Sequence, residues 1–327
     1  MSTALISPAL AFISESDFIP DNSFWKKNRT FKFTPYTAKD GTPKIYLSLF
    51  SDSVSTGNQP SILSYAGNSA TRNDGGIYLA SSALAMGNDS DTLRISDGDL
   101  SMTTSSLSLG AGDDSILAVG GGIELSGTSK IFLGDGSNRL TGDGYNGIFI
   151  SGGIEGGSGD DLITGVSAAA DGPWSPGNLI APAGIKVWDN SSIHTYSGRD
   201  TIKAEGKYQG LVVYSGGLVD TGQGNDRIIG SSLILLNGSI NTGAGDDTIS
   251  SPVAYETGSS VIDMGKGVDR LALNNGSYSA RPYMNGFLII GNSSNGVTNG
   301  LYVTGVEFIG GLSGEWQELK ETSYAIL

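Results

Sequence analysis

A seven-residue phrase, Gly-x-Gly-x-Asp-x-Ile, recurs along this chain and constrains its fold more than any other feature. It stands at Gly110–Ile116, Gly157–Ile163, Gly222–Ile228 and Gly243–Ile249, and with a final leucine at Gly265–Leu271. The glycines and acids are Gly110, Gly112 and Asp114; Gly157, Gly159 and Asp161; Gly222, Gly224 and Asp226; Gly243, Gly245 and Asp247; Gly265, Gly267 and Asp269. Looser copies have Gly87 with Asp89 at the second glycine position and Asp91 at the acid, Gly134 and Gly136 with Asn138 at the acid, and Tyr196 to Ile202 with Asp200 at the acid. A repeat of this kind specifies stacked units rather than one compact core.

Each part of the phrase has a physical task. The glycines allow positive φ and close backbone approach. The aspartate offers a hard oxygen donor or an Asx-turn acceptor. The aliphatic residue two places on points the other way, into a core. The acid position falls at residues 91, 114, 138, 161, 200, 226, 247 and 269, in steps of 23, 24, 23, 39, 26, 21 and 22. One turn therefore serves one coil of about 22 residues.

Three strand signals fit in each coil. After Asn138 they are Arg139–Thr141, Ile148–Ile150 and Ile154; after Asp226, Ile228, Leu233–Leu235 and Ser239–Asn241. After Asp247 they are Ile249 and Val261–Asp263, with a loop between. Strands stacked at about 4.8 Å per coil give three parallel sheets around an apolar centre. The rest of each coil supplies the crossover that parallel strands need. The fixed period speaks against a sandwich of similar short strands. The expected fold is all-β: a right-handed parallel β-solenoid over 76–275, an N-terminal β cap over 1–75 and a C-terminal cap over 276–327.

The turns resemble the RTX (repeats-in-toxin) calcium-binding repeat, whose nonapeptide is G-G-x-G-x-D-x-U-x. The likeness covers the turns and strands between about Met86 and Leu273. It implies that the backbone carbonyls and acids of the glycines and acid positions named above hold several Ca2+ ions between stacked turns. The spacing departs from the family, whose repeats follow every nine residues with two turns per coil. Here one turn per coil leaves at most one ion ladder. The resemblance also implies folding on Ca2+ and secretion by a type I pathway, outside the cell or onto its surface.

Composition agrees with that reading. Glycine makes up 50 of 327 residues and the net charge is −14. Without a repeat such a chain would read as disordered; with one, it reads as a solenoid whose corners need glycine. The acidic balance argues against nucleic acid, which requires a basic face, and suits divalent cations. There is no cysteine, which excludes disulfides and thiolate sites. No apolar run reaches the length of a membrane span. The apolar patch Ala4–Ile13 lacks a preceding Lys or Arg and contains Pro8, a poor match to a secretory signal.

Outside the repeat, Phe31–Tyr36 and Lys44–Leu49 alternate around a turn signal at Lys39–Thr42 and read as a hairpin. Lys26, Lys27, Arg29 and Lys32 would blunt an exposed sheet edge. The 39-residue step carries an insertion at 166–196 with Trp174 and Trp188, a place where either function or simple packing is expected. Tyr278–Tyr283, Gly286–Ile290 and Leu301–Ile309 read as cap strands. Tyr302–Phe308 resembles the closing segment after RTX arrays. The tail Glu318–Leu327 reads either as a type I secretion signal or as a docked strand.

Two chemistries remain for the acids. Paired turns can surround Ca2+, which takes six to eight oxygens in irregular shells. Alternatively each Asp accepts hydrogen bonds from the neighbouring turn's N–H groups, leaving a self-repelling column. Catalytic patterns are sparse: no nucleophile elbow, phosphate loop or dinucleotide fingerprint occurs. The expected role is a secreted calcium-binding structural protein of the surface layer, matrix, adhesin or fibre type, with calcium, copies of itself or cell-surface polysaccharide as partners. The alternative is a calcium-stabilised β-helix enzyme acting on a polysaccharide or small molecule. Its candidate residues are Trp174, Trp188, His194, Asp189 and Asp200.

Overall fold

The computed structural model describes residues 2–6, 31–37, 43–51, 53–55, 61–66, 75–167, 181–207, 209–252, 254–274, 276–291, 297–298 and 300–326. These form an all-β parallel solenoid of about eight coils. The aliphatic residue of each phrase builds the first core column. Leu93, Ile116, Leu140, Ile163, Ile202, Ile228, Ile249, Leu271 and Ile309 are register partners on successive coils. All are at most 1% exposed. Alternation directs them inward while their neighbours face solvent.

Two further columns complete the interior. Leu100, Ile123, Ile148, Ile185, Leu211, Leu233 and Ala254 line the second. Leu84, Leu107, Ile131, Ile154, Ile193, Val219, Ile240, Ile262 and Val303 line the third. They belong to one continuous buried cluster. Removing any one large member should cost about 2–5 kcal/mol, because the coils above and below hold the cavity open.

The coils opened by Asn138 and Asp226 have their strands where the pattern places them: Arg139–Gly144, Ile148–Ile150 and Gly153–Ser158, then Arg227–Gly230, Leu233–Leu236 and Ser239–Asn241. The loop expected after Ile249 is instead a strand, Ala254–Thr257, paired with Leu233–Leu236. Its small inward Ala254 gave no aliphatic signal, so tertiary pairing decides.

Parallel stacking also continues before residue 76. Phe31–Thr37 and Pro43–Phe50 form the antiparallel hairpin, and Pro43–Phe50 then pairs in parallel with Gly75–Ala80. Lys26, Lys27, Arg29 and the turn Lys39–Thr42 lie outside the described residues. At the other end Gly276–Tyr283, Gly286–Gly291 and Leu301–Thr304 are antiparallel neighbours. The single strand expected over Leu301–Ile309 is two, Leu301–Thr304 and Phe308–Gly311, because Gly305 turns the chain at φ +68°. Thr322–Ile326 runs antiparallel to Gly276–Tyr283.

Candidate metal centre

The Gly-Asp turns stack at one corner of the coil. At that corner the second glycine of one coil lies over the carbonyl of the coil before it. A Cβ on Gly224 would sit 1.5 Å from Gly198 O, and one on Gly245 1.7 Å from Gly224 O. The backbone φ values are +139° and +143°. Only glycine meets both demands. Gly87, Gly110, Gly112, Gly134, Gly136, Gly159, Gly222, Gly243, Gly265 and Gly267 are also at positive φ. Gly157 keeps to the ordinary side, and Asp89 lies half-buried in its turn.

The acids turn inward and form a continuous ladder. The Asp91 N–H donates to Asp114 Oδ1 at 2.6 Å, Asp114 N–H to Asn138 Oδ1 at 3.0 Å, and Asn138 N–H to Asp161 Oδ1 at 3.0 Å. Asp161, Asp200, Asp226 and Asp247 donate in the same way to Asp200, Asp226, Asp247 and Asp269, each at 2.8 Å. Asp269 N–H donates to Glu307 Oε2 at 2.7 Å. Every ladder residue from Asp91 to Asp269 is at most 2% exposed. Glu307 is a rung that the repeat pattern missed. The signal was present, since Glu307-Phe308-Ile309 keeps the acid two places before the inward aliphatic.

These bonds use one oxygen of each carboxylate. The other, Oδ2, is buried without a hydrogen-bond partner in Asp114, Asp161, Asp200, Asp226, Asp247 and Asp269. The hydroxyls of Thr195, Thr221 and Thr242 lie beside Asp200, Asp226 and Asp247. The same hydroxyls also reach Thr221 O, Thr242 O and Met264 O at 3.1, 3.3 and 3.0 Å, so each is shared between a carbonyl and its aspartate; at Asp161 the Gly157 N–H and the Asn138 side chain take that part. Among the described residues no ion pair reaches any of these six carboxylates.

Asn138 shows what that second position requires. Its Oδ1 accepts the ladder bond as an aspartate would. Its Nδ2 occupies the place of the second oxygen and donates to Gly134 O at 3.0 Å and Gly136 O at 3.2 Å. A carboxylate oxygen at that place meets acceptors with no proton to give. A proton or a cation at that place would satisfy it. Burial accordingly pushes the acids up. Asp161, Asp226 and Asp269 rise to about 7, mainly by desolvation, with neighbouring carboxylates adding to it and the ladder N–H groups opposing it. Asp114, Asp200 and Asp247 are raised for the same first reason.

Outside this inner column a second row runs in the opposite sense. Ser137, Ser158, Arg199 and Val268 N–H groups donate to Asp113, Asp135, Asp160 and Asp246 on the preceding coil. Among the described residues no three imidazole or carboxylate side chains converge as a metal-binding group. A cation at this corner would therefore be held by ladder carboxylates and backbone carbonyls together, a donor set that suits a hard ion.

The enzyme candidates do not assemble into one site. Trp174 lies outside the described residues. Trp188 packs against Tyr214 and Phe149, with ring centroids 4.3 and 5.9 Å away, and anchors the flank of the second sheet. Asp200 is a buried rung of the ladder, and Asp189 follows Trp188 in a turn. His194 faces outward from the third sheet, its Nδ1 3.5 Å from Asp220. Beside it Tyr196, at the first glycine position of its turn, is held at φ +67°, a conformation that costs roughly 1–2 kcal/mol in an L-residue.

Fold and corner together define a parallel β-solenoid with an internal carboxylate column. The chain matches no protein-family model, and no curated protein matches it.

Proposed function

We propose that this is a calcium-binding structural solenoid, exported to the cell surface or extracellular matrix and ordered by Ca2+ along its Gly-Asp corner. One observation carries the reading: six carboxylates buried in one column each keep an oxygen with no hydrogen bond formed to it, while Asn138 fills the same position with an amide. Two ionised rungs one coil apart repel by about 3 kcal/mol at an effective dielectric of 20. Protonation relieves this only near or below pH 7, whereas a divalent ion relieves it at any pH where the acids are ionised. The oxygens available for the ion are Oδ2 of Asp114, Asp161, Asp200, Asp226, Asp247 and Asp269, with carbonyls of the turn glycines. Six glycine-flanked rungs supply oxygen only, the ligand type Ca2+ prefers.

The structural role follows from the same features. Continuously stacked parallel strands give a stiff rod, and metal binding linked to folding weakens the fold where Ca2+ is scarce. Assembly with further copies or attachment to surface polysaccharide belongs to this reading. The test is circular dichroism and isothermal calorimetry of protein refolded in EGTA, then given Ca2+. Strand content should rise with a saturable heat. Equal strand content in both conditions and no heat would sink the proposal, and Mg2+ should not substitute.

A further inference from the structure

At the first turn position the repeat departs from glycine once. Gly87, Gly110, Gly134, Gly222, Gly243 and Gly265 hold the first turn position at φ between +81° and +119°, and Tyr196 holds it at +67°. The glycine coils close their corner without a side chain there, so the phenol is not needed for coil closure. It is 52% exposed, donates to Glu155 one coil back, and stacks on His194 with centroids 5.8 Å apart and planes at 22°. An aromatic residue kept in the left-handed region points to a use for the side chain.

Its surroundings are ordered. Glu155, His194, Asp220 and Asn241 are register partners on successive coils. They therefore project from one side of the sheet about 4.8 Å apart. Asn241 Nδ2 donates to Asp220 Oδ1 at 3.2 Å, and Lys130 Nζ donates to Glu155 Oε1 at 2.7 Å. A recess of about 350 Å3 opens between His194, Tyr196, Asp220 and Asn241.

We propose that this face binds a neutral, hydroxyl-rich glycan, seated on the His194–Tyr196 rings with hydroxyls bonded to Asp220 and Asn241. The chemistry selects that class. Flat rings accept the C–H face of a sugar, and planar polar groups on either side suit paired hydroxyls. The Lys130 charge is committed to Glu155, so an anionic polymer would meet the Asp220 carboxylate rather than a free cation. The recess is open, so an apolar ligand would keep much of its surface in water. Polar rungs repeating along the coil axis fit a linear chain.

His194 is the only histidine, so its imidazole gives one clean set of NMR signals. In Ca2+-containing buffer, cellopentaose, xylopentaose and laminaripentaose are titrated separately, with penta-galacturonate as the anionic control. At least one neutral pentasaccharide should shift the His194 signals saturably. Tyr196→Asn, which tolerates the left-handed region, should weaken that binding at least tenfold while holding or raising the melting temperature. Tyr196→Phe should retain the stacking and lose less than tenfold. The inference is overturned if no neutral pentasaccharide shifts His194 or if penta-galacturonate binds more tightly. It is also overturned if Tyr196→Asn melts clearly lower, which would make the ring a structural peg.

Discussion

Replacing Asp226 by asparagine should stabilise the metal-free protein and weaken the calcium-bound one. In the structure Asp226 Oδ1 accepts the Asp200 N–H at 2.8 Å, and Oδ2 is buried without a donor. Asp226→Asn keeps the first bond and converts the second oxygen into an amide. By analogy with Asn138, whose Nδ2 reaches Gly134 O and Gly136 O, the new amide would reach the carbonyls of Gly222 and Gly224. Ending one unsatisfied buried acceptor is worth about 1–3 kcal/mol, and each new bond about 0.5–1.5 kcal/mol. Allowing for overlap between these, the gain is about 2–3 kcal/mol. At about 2 °C per kcal/mol for a chain of this size, the shift is about 4–6 °C in EGTA at pH 8.

Calcium reverses the sign. A site filled to a hundred times its dissociation constant contributes about 2.7 kcal/mol, and the variant loses a charged ligand from that site. Scanning calorimetry of both proteins, with EGTA and with saturating Ca2+, reads the crossing directly. The mirror change, Asn138→Asp, should lower the metal-free melting temperature by a similar amount and raise the calcium stoichiometry. If Asp226→Asn melts below the parent in EGTA, the account of the second oxygen is wrong. If calcium raises both melting temperatures equally, the ladder is not where calcium binds.

Two further outcomes follow from the same corner. In EGTA the ladder should make stability fall as pH rises: Asp161, Asp226 and Asp269 have folded values of about 7 against 3.8 unfolded. The folded state therefore binds more protons between these limits, and this contribution is fully present below 3.8 and lost through about 7. Urea midpoints measured from pH 4.5 to 8.5 should decline without Ca2+ and flatten with it; a rising midpoint in EGTA would contradict the burial of these acids. Gly245→Ala would place a Cβ 1.7 Å from Gly224 O at φ +143°, costing about 2–6 kcal/mol from strain and overlap together. Hydrogen exchange should localise that loss to the coils around Asp226 and Asp247, and undiminished protection there would show that the corner yields easily.

The columns of the core were legible because each aliphatic residue sits at a fixed distance from a Gly-Asp turn. Leu140, Ile163, Ile228 and Ile249 all lie two places after their acid, and all are buried. Where the signal depended on a residue's own character it failed. Ala254 carries too little apolar surface to announce a strand, and Glu307 was passed over because no glycine pair precedes it. The direction of the acids was the harder matter. Sequence alone offered an ion ladder or a hydrogen-bond ladder as alternatives. The structure shows the hydrogen-bond ladder, in which one oxygen of each carboxylate accepts the preceding coil's N–H; the ion ladder is what we propose for the other oxygen. In the sequence Asn138 marks a looser copy of the phrase, with an uncharged residue at the acid position. In place it is the one rung that meets its requirement with its own protons, and it is the internal control against which the aspartate rungs are judged. Whether calcium or a proton fills the rest is decided by pH: above about 7 the protons leave Asp161, Asp226 and Asp269. A column that melts there at a clearly higher temperature in saturating Ca2+ than in EGTA has been held by the cation.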